Sequence, residues 1–172
     1  MPLSKGLLAN LLNKGFHKPT QIQHETLEYL ISGRDLLGIA QTGTGKTGAF
    51  LIPVIEQLLS SRNNFQTLVV VPTRELALQV ETEFKSLSVG MSLQSSSFIG
   101  GTNVNTDLKK ARRRPHLIIG TPGRLMDLAN QRALRFDGIS TLILDEFDRM
   151  LDMGFVNDVK KMVQAMTNRK QT

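Results

Sequence analysis

Residues Ala40-Gln41-Thr42-Gly43-Thr44-Gly45-Lys46-Thr47 constrain this chain more than any other stretch, because strand, turn and helix signals meet there. The apolar run Leu36 to Ile39 before it reads as a buried strand, and the apolar run Ala49 to Ile52 after it reads as an opening helix. Glycines between a strand and a helix let the backbone take positive φ and turn its N–H groups toward an anion. The helix that follows adds about half a positive charge at its N-terminus. Lys46 then supplies charge for the β and γ phosphates of a nucleotide, and Thr47 a hydroxyl for Mg²⁺. Ala40 stands where such loops usually begin with Gly. The plainer alternative is a glycine-rich turn followed by a solvated lysine.

Four more short apolar or β-branched runs follow: Thr67 to Val71, Ser97 to Ile99, Leu117 to Ile119 and Thr141 to Leu144. Helix-period segments alternate with them, such as Leu76, Ala77, Val80, Phe84 and Leu87, and later Phe155, Val156, Val159, Met162, Val163 and Met166. This alternation predicts an α/β fold with a doubly wound parallel sheet, helices on both faces, and ligands beyond the C-terminal ends of the strands. Two helices precede the first strand. One carries Leu7, Leu8, Leu11 and Leu12 on a face and stops at Gly15; the other opens at Thr20. Ser60-Ser61-Arg62-Asn63-Asn64 and Asn130 to Asp137 read as loops. No repeat or linker divides the 172 residues, which suffice for one domain burying roughly 70 per cent of its unfolded surface.

Thr141-Leu142-Ile143-Leu144-Asp145-Glu146 is an apolar strand that ends in two carboxylates at the predicted ligand edge. There Asp145 would hold Mg²⁺ through water and Glu146 would orient or deprotonate an attacking water, the two tasks of phosphoryl transfer to water. An acid at a strand end is alternatively a helix N-cap. Composition narrows the other options. With 40 per cent hydrophobic and 21 per cent charged residues the chain is neither disordered nor of membrane type. No apolar run is long enough to span a bilayer, and no basic-then-apolar leader opens the sequence. Without Cys there are no disulfides and no thiolate zinc sites, and His17, His24 and His116 lack metal-ligand spacing. A reducing, cytoplasmic setting is expected. The net charge of +6 favours anionic partners.

With Asp145-Glu146-Phe147-Asp148 added, the chain resembles the DEAD-box RNA helicases from Phe16 to Phe155. Phe16, Pro19, Thr20, Ile22 and Gln23 are similar to the Q motif, whose glutamine reads the adenine edge; Pro72-Thr73-Arg74-Glu75-Leu76 is similar to motif Ia. Gly100-Gly101 and Thr121-Pro122-Gly123-Arg124 are similar to the next two RNA-contacting motifs. The resemblance implies a RecA-like P-loop NTPase fold with ATP and Mg²⁺ as cofactors. It assigns Phe16, Lys18, Gln23 and the loop Ala40 to Thr47 to the nucleotide, and Lys46, Asp145 and Glu146 to catalysis. It implies that Pro72, Thr73, Arg74, Gly100, Gly101, Thr121, Pro122, Gly123 and Arg124 meet the sugar-phosphate backbone of single-stranded or duplex RNA without reading bases. It also implies a chain incomplete at its C-terminal side. A strand ending in Ser-Ala-Thr and a second RecA-like domain would follow, so that the piece alone would be nearly inactive.

Several of these residues have a purely structural alternative. Thr20 and Gln23 are spaced as a capping box, Thr73 as an N-cap, and Thr121-Pro122 as N-cap and first residue of a helix. Arg74 and Arg124 are less explained by capping. The run Lys109, Lys110, Arg112, Arg113 and Arg114 fits the exposed face of a helix ending before Pro115 and is given no site role. Two positions depart from the family pattern, Phe147 replacing the Ala of motif II and Gln21 replacing a Pro, and no aromatic precedes Phe16. Two other classes compete: an unrelated P-loop enzyme, and a non-catalytic RNA-binding domain that keeps the loop. Gln23 and Thr121-Pro122-Gly123-Arg124 argue against the first; Lys46, Thr47, Asp145 and Glu146 argue against the second.

Overall fold

Four short runs, three of them apolar and one Ser-rich, pair into one sheet because each is followed by a helix long enough to carry the chain back to the same edge. In a computed structural model, which describes residues 3–61 and 66–172, these strands are β1 (Thr67–Val70), β2 (Ser95–Phe98), β3 (Leu117–Gly120) and β4 (Thr141–Leu144). All pairings are parallel, in the order β2-β3-β1-β4, with Thr67 level with both Leu117 and Thr141. Side chains alternate between the two faces of the sheet. Val69, Val71, Leu117 and Ile119 bury against α1 (Lys5–Asn13), α3 (Lys46–Ser60) and α4 (Arg74–Leu87). Leu68, Val70, Ile118 and Leu142 bury against α6 (Pro122–Asn130), α7 (Phe147–Asp152) and α8 (Val156–Ala165). The remaining helices are α2 (Gln21–Ile31) and α5 (Val104–Arg112). No helix among the described residues is long and apolar enough to cross a membrane.

The helix boundaries follow local chemistry. Gly15, at φ +81°, ends the turn after α1, and Thr20 caps α2. Of the expected loops, Asn130 to Asp137 leads from the end of α6 into a 3₁₀ turn at Phe136–Gly138. Ser60 instead closes α3, and Arg62, Asn63 and Asn64 lie outside the described residues.

The expected strand Leu36 to Ile39 is a correction: no ladder forms there among the described residues. Leu36 N–H donates to the Thr172 carbonyl at 3.0 Å, and Leu37 and Ile39 are 90% and 92% exposed. Gln171 forms a single parallel bridge with Thr141, so Gln171 and Thr172 lie between β4 and this run. Hydrophobic content makes a run compatible with a strand, but a strand requires neighbours on its hydrogen-bonding edges. One rung does not supply them.

Candidate nucleotide site and strand-end loops

Every candidate motif that follows a strand emerges at the same C-terminal edge of the sheet, so the fold gathers distant sequence stretches there. The phosphate loop turns through Gly43 at φ +83° and Gly45 at φ +89°, and Gly45 is the N-cap of α3. Gln23 seats it. In the capping box of α2, Gln23 N–H donates to Thr20 Oγ1 at 3.4 Å and Gln23 Oε1 accepts from Thr20 N–H at 3.1 Å. Gln23 Nε2 also donates to the Gly45 carbonyl at 3.1 Å, so cap and loop contact coexist in one side chain. A Cβ at Gly45 would lie 2.8 Å from Gln23 Nε2, and one at Gly48 would lie 2.7 Å from it. Gly48 is thus the bare patch of α3 that admits Gln23, a role the sequence alone did not reveal.

A cavity of about 390 Å³ brings together six of the residues expected at the nucleotide: Phe16, Gln23, Gly43, Gly45, Lys46 and Thr47. Its size falls within the usual range for small-molecule sites. Thr20, Gly48 and Ile52 also line it, and Leu11 of α1 with Glu83 and Leu87 of α4 complete the wall, three residues that no local sequence signal ties to a nucleotide. Lys18, Gln41 and Thr42 are exposed and Ala40 is half-buried, none of them on this wall. Thr44 Oγ1 donates to the Gln41 carbonyl at 2.7 Å and so braces the loop from within.

At the end of β4, Asp145 N–H donates to the Val70 carbonyl at 3.0 Å. Burial raises the Asp145 pKa above its ordinary value, the Lys46 charge opposes that rise, and neighbouring Glu146 adds to it. The Lys46 influence places the loop and the strand end in one electrostatic environment. Glu146 sits in the left-handed region, at φ 53° and ψ 48°, and begins α7 without a side-chain capping bond. Its carboxylate therefore does not serve as the helix cap; Arg149 Nη1 lies 3.4 Å from its Oε2. Phe147, in the place of the family's Ala, is 38% exposed. Among the described residues no group of three His, Cys, Asp or Glu could cage a metal. The hydroxyl of Thr47 and the carboxylate of Asp145 instead fit a hard cation that takes further oxygens from water and phosphates, the habit of Mg²⁺.

On the other side of the edge, Thr73 caps α4, its Oγ1 accepting from Leu76 N–H at 3.3 Å, and Arg74 is exposed beside it. Gly101, at φ +82°, lies under the Arg74 guanidinium, where a Cβ would come within 2.7 Å of Nη1. Gly100 and Gly123 are exposed, Pro72 is buried, and Thr121-Pro122 opens α6 without a side-chain cap bond. Arg124 is placed differently from the exposed RNA contact that the motif implied. Its side chain is only 7% exposed and pairs with Asp107. The basic run occupies the last turn of α5 and the residues after it, at the opposite end of that helix from the candidate edge. This agrees with its reading as an exposed helix face.

The comparisons with known proteins converge. A family model described as DEAD/DEAH box helicase matches residues 20–172. The ATP-dependent RNA helicase CshA of Listeria monocytogenes is 38% identical over 170 residues, which cover 99% of this chain and 33% of that protein. A crystal structure of a hypothetical ATP-dependent RNA helicase from Sulfolobus tokodaii matches with a TM-score of 0.92 at 30% identity, over 99% of this chain and 49% of that one. The chain thus spans about a third of the curated relative and about half of the solved chain. The RecA-like α/β architecture expected from the sequence is the one found.

Proposed function

We propose, since the chain belongs to the DEAD/DEAH box helicase family, that it is the ATP-binding RecA-like domain of an ATP-dependent RNA helicase. In the full-length protein it would couple ATP hydrolysis to local RNA unwinding or remodelling of RNA–protein complexes, acting with a second RecA-like domain. The observation that carries this reading is the cavity that gathers Phe16, Gln23, Gly43, Gly45, Lys46 and Thr47, with the Lys46 charge acting on Asp145 at the end of β4. Lys46 would hold the β and γ phosphates, and Thr47, with Asp145 through water, would hold Mg²⁺. Bound Mg²⁺ would neutralise charge on the phosphate oxygens. Glu146 would orient and deprotonate the attacking water.

Gln23 would read adenine without abandoning its cap. Its carbonyl oxygen has a second lone pair and its amide a second N–H beyond those engaged with Thr20 and Gly45. Pro72, Thr73, Arg74, Gly100, Gly101 and Thr121 would meet the sugar-phosphate backbone of one RNA strand, which positions RNA without selecting sequence. Phosphate release by the full-length protein, with and without single-stranded RNA, tests the assignment. Glu146→Gln should keep ADP binding and lower RNA-stimulated release by about 10²- to 10⁴-fold, the usual worth of a positioned base. Stimulated release surviving in that variant would remove Glu146 from the role.

A further inference from the structure

We infer that Asp107 is a positioning residue for RNA binding: through Arg124 and Thr102 it fixes the Gly100-Gly101 loop beneath Arg74, an inference that rests on the RNA-binding reading above. Asp107 lies in the first turn of α5, where an acid favours the helix dipole, yet it is 1% exposed. A dipole needs no burial, so a second cause holds Asp107 inside. Arg124 Nη1 reaches Asp107 Oδ2 at 2.5 Å and Thr102 Oγ1 at 3.1 Å, while Nη2 donates to the Thr102 carbonyl at 3.2 Å. Thr102 Oγ1 in turn lies 2.8 Å from Asp107 Oδ2 and 2.9 Å from the Ile99 carbonyl. One carboxylate, one guanidinium and one loop residue close a ring that ties the β2–α5 connection to the start of α6. Asn103, which caps α5 by accepting from Asn105 and Thr106 N–H, pins the far side of the loop.

The ring determines what the loop presents. Immediately before Thr102, Gly101 holds φ +82° and lies under the Arg74 guanidinium. Moving Thr102 would move that backbone, and with it the surface offered to a phosphate chain. A guanidinium engaged this way inside the protein is not offered to RNA. A buried ion pair is also a poor source of stability compared with apolar packing, which is consistent with its being kept for geometry. Two roles for Arg124 predict opposite signs. If it grips RNA, releasing it from Asp107 should strengthen binding; if it clamps the loop, release should weaken it.

The test is fluorescence anisotropy with a labelled oligouridylate of about ten nucleotides at several KCl concentrations, with ADP affinity measured in parallel. Asp107→Asn, although it removes a negative charge near the RNA path, should lower RNA affinity by about 5- to 30-fold. The slope of log affinity against log salt and the affinity for ADP should not change. An affinity that is unchanged or raised, or a slope altered by about one phosphate contact, overturns the inference. If Asp107→Asn fails to fold, Thr102→Val decides, because it keeps the ion pair and alters an exposed residue. A weaker RNA affinity with ADP binding intact supports the clamp, and an unaltered one overturns it. Failure of the unaltered chain to bind RNA overturns the RNA-binding reading and the inference together.

Discussion

The two halves of the candidate edge are held by opposite means. Around the phosphate loop the seat is neutral: Gln23 bonds to Thr20 and Gly45, bare glycines give it room, and Lys46 takes part in none of the ion pairs found among the described residues. Around Gly100-Gly101 the seat is charged and closed, with Arg124 and Asp107 both turned inward. The difference concerns where cationic charge is committed. A loop that must wrap a polyanion leaves its lysine uncommitted and spends neutral hydrogen bonds on its own shape. A loop that presents backbone to a strand can spend an arginine on being held still.

Breaking each seat should therefore give different losses, and the largest belongs to the charged one. Arg124→Ala leaves Asp107 buried without its partner, and should destabilise the domain by about 3–5 kcal/mol; chemical denaturation measures it, and a loss under 1 kcal/mol would contradict a closed ring. Lys46→Ala should instead spare the fold and lower ADP·Mg²⁺ affinity by about 100-fold, roughly 2.7 kcal/mol. Calorimetric titration together with melting temperature separates the two. Gln23→Ala, which removes half of the capping box and the bond to Gly45, should cost about 0.5–2 kcal/mol of stability. It should also reduce selectivity for ATP over GTP; full selectivity in a destabilised variant would assign Gln23 to structure alone.

The smallest effect is a pH dependence. Burial raises the Asp145 pKa above its ordinary value near 3.8, so ionising this carboxyl costs folded-state stability. The contribution is complete below the ordinary pKa and is lost as pH rises through the folded one. Without divalent metal, Asp145→Asn should therefore melt higher than the unaltered protein at pH 7. The gap should close as pH falls toward about 4. A gap that persists in acid would point to packing rather than charge.

What the sequence made legible follows from the range over which each signal acts. The Thr20–Gln23 box, the Thr73 cap and the strand ending at Asp145 are local patterns, readable over a few residues and present in the structure. Leu36 to Ile39 misled because its composition is local while strand pairing is not; the run is apolar but has one rung. Asp107 carries no readable signal for the same reason. An acid in a helix's first turn is ordinary, and nothing nearby announces a partner 17 residues away. Gly48 likewise looks like a weak spot within a helix until the amide of Gln23 is placed 25 residues upstream against it.

Glu146 joins two demands that a single residue cannot meet equally well. Its left-handed backbone, at φ 53° and ψ 48°, suits glycine and costs any L-residue with a side chain about 1–2 kcal/mol. Its carboxylate is the proposed base. Selection of variants of this domain for thermal persistence alone should then favour Glu146→Gly, and would discard the chemistry while improving the scaffold. The trade-off between endurance and turnover is concentrated at this position. A library screened by heat needs a second screen by activity, or its best survivors will be its least useful members.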